Sequence, residues 1–261
     1  MIRLRSRLSR LPWSALGLLG LGLLFYLFFL LARWPASHAW QQFEDMGMLP
    51  PRVQVNTVAG TIWHGELQQL KVEGMVINRV RWQVRFGTLF RGRLGIDLDA
   101  ATEGGFLRGR VHISPTRLGA ENINGRLPAK RLEPIITRYS PMPTQLDGQL
   151  ALAVENLAID HDGAVKQLDG RLAWQEGRVE VDNTVFELGG LMSDLRANDG
   201  VIHGKLSDDG GPLALDGQWQ LRPDGRYRLD ARPVARDQAS DALRNALAPL
   251  GNRLQLEGRL K

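Results

Sequence analysis

The residues of this chain best suited to hold a metal or move a proton are its five histidines, His38, His64, His112, His161 and His203. No two stand three or four apart, the interval that puts two imidazoles on one helix face, and the chain has no cysteine to join them. They read as isolated turn and surface residues, and His64, beside Trp63, needs only a strand-end role. Asp97 and Asp99 alternate along a strand-like segment whose polar face meets water, and paired carboxylates carry little information by themselves. Asp208-Asp209-Gly210-Gly211 has part of a calcium loop but lacks the alternating oxygen ligands and the closing glutamate, so a polar hairpin turn accounts for it. Gly104-Gly105 and Gly189-Gly190 do not lead into a phosphate-cradling helix, and no Gly-x-Ser-x-Gly elbow presents a nucleophile. The sequence therefore offers no catalytic, cofactor-binding or metal-ligating residue, and predicts a protein that is not an enzyme.

What repeats is a scaffold phrase. Eleven times a glycine is followed by a charged residue or glutamine and then a large apolar residue, as in Gly65-Glu66-Leu67, Gly109-Arg110-Val111, Gly170-Arg171-Leu172 and Gly204-Lys205-Leu206. Glycine supplies the freedom of a turn or kink, and the polar-to-apolar step starts a period-two alternation, so the phrase is expected where strands begin. Its irregular spacing excludes a strict solenoid of identical repeats.

The strands can be followed along the chain. Val80, Trp82, Val84 and Phe86 share one face of a segment whose other face carries Arg81, Gln83 and Arg85. Leu94–Asp99 and Arg108–Ile113 repeat the pattern, and Gly60–Gly65 reads as a strand pinned between two turn glycines. Trp219–Leu221, the turn Pro223-Asp224-Gly225 and Tyr227–Leu229 read as a hairpin. Two stretches change period: 128–139, with Leu132, Ile135, Ile136 and Tyr139 at helical spacing, and 235–250, with Ala239, Leu243 and Leu247 on one face. Each follows a run of strands, which suggests two similar halves, 50–143 and 144–261.

The N-terminus differs in kind. Residues 11–32 carry no formal charge, and as a helix would span roughly 30 Å, the thickness of a bilayer's hydrocarbon core. Trp13 and Trp34 fall where the interfaces should be, and Arg3, Arg5, Arg7 and Arg10 precede the segment, which places the N-terminus in the cytoplasm. A cleaved signal peptide would have a shorter apolar core, so an uncleaved anchor is expected; a mature chain beginning at Trp40 would overturn it.

The formal charge of +5 comes entirely from this end: residues 1–33 hold five arginines and no acid, and the remaining 28 basic residues match the 28 acidic ones. A neutral body lacks the one-signed excess of a nucleic-acid binder. Four tryptophans, Trp63, Trp82, Trp174 and Trp219, fall in the strand-like body, where core packing explains them and a groove for lipid or peptide is the sharper reading.

Together the anchor, Val58-Ala59-Gly60-Thr61-Ile62-Trp63-His64-Gly65, Val80-Arg81-Trp82, Leu89-Phe90-Arg91-Gly92-Arg93-Leu94, Asn124-Gly125-Arg126-Leu127-Pro128, Asp147-Gly148-Gln149-Leu150, Gly170-Arg171-Leu172-Ala173-Trp174 and the closing Gly258-Arg259-Leu260 resemble the type II secretion system protein N family over nearly the whole chain. The resemblance implies an inner-membrane-anchored periplasmic accessory of the general secretion pathway, which exports folded proteins across the outer membrane. It carries over no catalytic residue and no cofactor. A broader resemblance is to lipid-handling, repeat-built β proteins held to the inner membrane by one helix.

The expected architecture is mainly β. It comprises a cytoplasmic basic flank (1–10), a single transmembrane helix (11–32), a stalk (33–49), and a curved, largely antiparallel periplasmic β-sheet with two short helices (50–261). The expected partners are other type II secretion system components and the inner membrane, with no nucleic acid. The alternative is a lipid-binding or lipid-transfer β-groove on the same anchor.

Overall fold

The computed structural model describes residues 13–47, 53–72, 75–133, 144–198, 200–251 and 253–259. The basic flank 1–10, Pro50-Pro51, the latter part of the helical stretch at 128–139 and Leu260 lie outside them.

The chain opens with α1 (Trp13–Ala32) and α2 (Ala36–Asp45). Side chains of α1 are described from Leu18, and every residue from Leu18 to Leu31 is exposed. Among the described residues, with α1 counted from Leu18 to Ala32, no helix is long and apolar enough to cross a membrane.

Strands follow as β1 (Val53–Gln54), β2 (Thr57–Gly60), β3 (His64–Val72), β4 (Met75–Arg85), β5 (Leu94–Thr102), β6 (Gly105–Ile113) and β7 (Arg117–Pro128). They continue as β8 (Thr144–Asp160), β9 (Val165–Val181), β10 (Thr184–Asn198), β11 (Val201–Asp208), β12 (Leu213–Leu221) and β13 (Arg226–Ala235). After α3 (Asp241–Leu247) comes β14 (Leu254–Arg259). All belong to one antiparallel sheet in which β3 to β14 are neighbours in chain order, with β1 and β2 both pairing with β3. Such a meander needs only short turns, which is why the sequence is punctuated by Asp-Gly, Asn and Gly-Gly steps rather than crossover helices. At about 4.8 Å between strands, the sheet runs for roughly 55–60 Å of contour. Register shifts at Arg108/Arg110, Val154/Asn156 and Glu187/Gly189 add local twist.

Among the described residues no second layer covers the sheet. Accessible surface is 18473 Å², against about 11,400 Å² expected of a globular monomer of this mass. Among the described residues the one compact core joins α3 to the sheet: Leu243 and Ala239 bury against Leu213, with Leu191, Leu215 and Phe186 around them. Ser240 caps α3, its Oγ accepting from the Leu243 N–H at 3.2 Å. In the other helical stretch a 3-10 turn spans Ala129–Leu132, and Ala129 is buried.

Gly60–Gly65 corrects the expectation of a strand. Gly60 ends β2 and pairs in register with Gly65 near the start of β3, so residues 61–63 form the connecting turn. The turn closes through the Thr61 N–H on the His64 carbonyl at 2.8 Å, and its exposed backbone groups go to the end of α1 instead of a ladder. Ile62 N–H donates to the Trp34 carbonyl at 3.1 Å, the Trp63 indole N–H donates to the Leu31 carbonyl at 2.9 Å, and Thr61 bridges Pro35. The edge of the sheet is thereby fastened to the C-terminal turn of α1.

Candidate functional site

Strand alternation sorts the side chains onto two unlike faces. One face is charged. Across neighbouring strands Asp97 receives Arg85 and Arg110, Asp99 receives Arg108, Asp194 receives Arg171, Glu257 receives Arg228 and Asp230 receives Arg253. Burial pushes the Asp97 carboxyl up, but the hydrogen bonds and charges of Arg85 and Arg110 outweigh it and hold it below its ordinary range. At Asp230 the hydrogen bond from Arg253 leads, and the carboxyl is likewise held down. These carboxylates are committed to ladder pairs along a wet surface, each contributing modestly to register.

The opposite face is apolar from β4 to β14. Register places Val80, Ala100, Leu107 and Gly125 in one row, continuing through Leu152 and Leu172 to Ser193 and Leu206. A second row runs Trp82, Leu98, Gly109, and a third crosses Gly204, Trp219, Leu229 and Leu256. Much of this face stays open: Leu98, Leu107, Leu118, Leu172, Tyr227 and Leu256 are all exposed. Near the Ala129–Leu132 turn it deepens into a cleft of about 270 Å³ bounded by Leu107, Leu127, Leu132, Leu150, Leu152 and Leu172. Chemically this surface can bind apolar matter and can do little else.

The repeated glycines belong to this face. Gly65 faces Trp82, Gly204 faces Trp219 and Gly258 faces Tyr227 as register partners, and a Cβ on any of the three would lie within 2.7 Å of the opposing ring. Gly109 and Gly125 give the same room to Ile123 and Leu107. At most of its occurrences the phrase therefore lies in a strand interior, where a large side chain folds over its partner and close approach requires glycine; Gly92 and Gly225, with φ of 69° and 80°, stand instead in the turns just before β5 and β13, where strands begin as expected. The tryptophans that lie over the face keep their indole N–H groups satisfied: Trp82 donates to the Ile62 carbonyl at 3.1 Å, Trp174 to the Asp147 carbonyl at 3.0 Å, and Trp219 to Ser193 Oγ at 3.0 Å. Trp63, expected in a strand, sits in the β2–β3 turn and packs against Phe86, the rings tilted by 45° with centroids 4.9 Å apart.

The residues weighed for chemistry are scattered. His38 lies in α2, His64 opens β3, His112 is on β6 with Nε2 3.1 Å from the Glu121 carboxylate, His161 meets the Pro115 carbonyl, and His203 is on β11. Among the described residues no three His, Asp or Glu side chains group to hold a metal ion. Asp208 and Asp209 are turn residues: Asp208 accepts from the Gly210 and Leu215 N–H groups, and Asp209 from the Gly190 N–H. What sequence reasoning missed was the pairing of glycine with aromatic partners. Its signal was present, since each of Gly65, Gly204 and Gly258 has an aromatic residue on the next or preceding strand, but register is needed to see it.

Residues 51–261 match the family model for the type II secretion system protein N. Among curated proteins, the type II secretion system protein N of Klebsiella pneumoniae is 28% identical over 237 residues, covering 90% of this chain and 89% of its own. The protein of that name from Vibrio cholerae is 26% identical over 189 residues, covering 70% and 73% respectively. No solved structure matches the chain significantly.

Proposed function

The chain belongs to the type II secretion system protein N family, and from that membership we propose that it serves the type II secretion system as an inner-membrane-anchored periplasmic accessory. Its part in protein export across the outer membrane is to bind other components of the apparatus through the apolar face of its sheet. The single observation that carries this reading is that face: an apolar surface of roughly ten strands, left open by the described residues, is far larger than soluble monomers expose without a partner. The charged face, whose carboxylates and arginines satisfy one another, has no comparable demand.

Anchoring is supported by α1, twenty residues of almost wholly apolar composition whose side chains from Leu18 to Leu31 find no cover in the protein. A helix that is hydrophobic all round must be covered by protein or lipid. The arginines of residues 1–10 then orient it, with the N-terminus cytoplasmic, 33–49 as the stalk and 50–261 in the periplasm.

Deletion of the gene tests the reading. Export of secreted enzymes and assembly of the apparatus are expected to be impaired and restored by the intact chain; normal assembly and export of every substrate in the deletion strain would contradict it.

The cleft at Leu107, Leu132, Leu152 and Leu172 favours a second reading, a lipid-binding groove, because it is lined almost entirely by apolar side chains. Native mass spectrometry of the protein released from nanodiscs would then retain lipid beyond the annulus of α1.

A further inference from the structure

A second surface of this protein has the chemistry of a membrane contact. Between β4 and β5 the chain forms a 3-10 turn, Phe86–Arg91, that presents Phe86, Leu89 and Phe90 to the outside; Phe90 is 95% exposed. This is not a frayed loop. Thr88 Oγ1 donates to the Arg85 carbonyl at 2.6 Å and accepts from the Gly95 N–H at 2.8 Å. Gly92, at φ 69°, closes the turn by donating its N–H to the Leu89 carbonyl at 2.9 Å. The fold thus holds three large apolar side chains in water at the tip of a rigid turn, an arrangement that makes sense only if something covers them.

The position of the turn says what. Trp63 donates its indole N–H to the Leu31 carbonyl in the last turn of α1, and the Phe86 ring packs against Trp63. The turn is therefore tied, through one tryptophan, to the end of the apolar helix, the level at which indole rings favour a bilayer interface. Its charge fits the same surface: Arg91 ends the turn and Arg93 follows it, and the side chains of both make no ion pair among the described residues.

We infer that the Phe86–Arg91 turn is a second membrane contact, inserting Phe90 and Leu89 into the periplasmic leaflet beside α1 while Arg91 and Arg93 meet anionic headgroups. This rests on α1 being anchored in the inner membrane, and goes beyond it. One helix alone leaves the sheet free to swivel, whereas helix and turn together fix the direction in which β3 to β14 leave the membrane.

The absence of cysteine allows a direct measurement. Single nitroxides at Phe90→Cys, at Leu23→Cys in α1 and at Glu155→Cys on β8 are placed in the full-length protein in nanodiscs of phosphatidylethanolamine and phosphatidylglycerol. Their relative accessibility to oxygen and to a nickel chelate is then read. The expected result is a Phe90 label favouring oxygen, as at Leu23, with the Glu155 label favouring the chelate. Combining Arg91→Ala with Arg93→Ala should shift the Phe90 label toward the chelate. A Phe90 label indistinguishable from Glu155, with Leu23 still inaccessible to the chelate, would overturn the inference and leave the anchor standing. A Leu23 label open to the chelate would remove the anchor itself. A Phe90 depth unchanged by loss of both arginines would overturn the role given to anionic headgroups.

Discussion

Trp219 lies over Gly204, its register partner across β11 and β12, so closely that a Cβ on Gly204 would fall 2.1 Å from the indole nitrogen. The glycine is the floor on which the ring rests, and Ser193, from the next strand, receives the indole N–H. Gly204→Ala forces the ring off its floor and is expected to destabilise the protein by about 1–3 kcal/mol, the usual cost of overpacking. Denaturant titration of the full chain in detergent measures this, with Gly87→Ala, which would meet nothing within 4 Å, as the unchanged reference.

Ser193 is buried, and its hydroxyl is the acceptor that lets a polar indole N–H lie within an apolar row. Ser193→Ala leaves that N–H without an acceptor, at an expected cost of about 1–3 kcal/mol. Ser193→Thr, which keeps the hydroxyl, should recover part of the loss; equal loss in both variants would point to packing instead.

Leu243 joins α3 to the sheet and is 3% exposed. Leu243→Ala should cost about 2–5 kcal/mol by emptying the small core it shares with Leu213 and Ala239. Because this is the only core cluster among the described residues, the loss should be local: hydrogen exchange should rise in α3 and the neighbouring ends of β10 and β13, and remain low in β4 to β6.

Acid sensitivity has a particular source. Burial pushes the Asp208 carboxyl up, but the Leu215 and Gly210 N–H groups and Arg236 outweigh it, and the carboxyl is held below its ordinary value of 3.8. The folded state therefore binds this proton less readily than the unfolded state. Its contribution to stability is complete above about pH 4 and is lost as pH falls through the lowered folded value. The midpoint of unfolding should fall steeply in that acid range, and Asp208→Asn should be less stable at neutral pH with a shallower acid fall. An unchanged acid slope would assign the effect to Asp97 and Asp230.

Much of this architecture was legible because antiparallel strands write their two faces into alternate residues. The segment at Val80–Arg85 and the hairpin joining Leu221 to Tyr227 lie where alternation and the Pro-Asp-Gly turn put them. Helical spacing at Leu243 and Leu247 found α3, although β13 runs on to Ala235 before the helix begins at Asp241. Gly60–Gly65 misled because alternation over six residues does not separate a strand from a turn whose polar groups bond to a distant element, here Trp34 and Leu31. Nor could composition say that Leu107 and Leu172 face open space: one apolar face looks the same whether or not a second sheet covers it. The decisive number was the accessible surface, which only coordinates provide.

The central claim is that this open face meets protein of the secretion apparatus, and the most direct measurement is photocrosslinking in living cells from Leu172, which is exposed on that face. With benzoylphenylalanine at Leu172, the account predicts an irradiation-dependent adduct with another secretion component, and none from the same probe at Arg171 on the charged face. Adducts with lipid alone would carry the face over to the groove reading, and the same protein adduct from both positions would contradict the claim that the apolar face makes the contact.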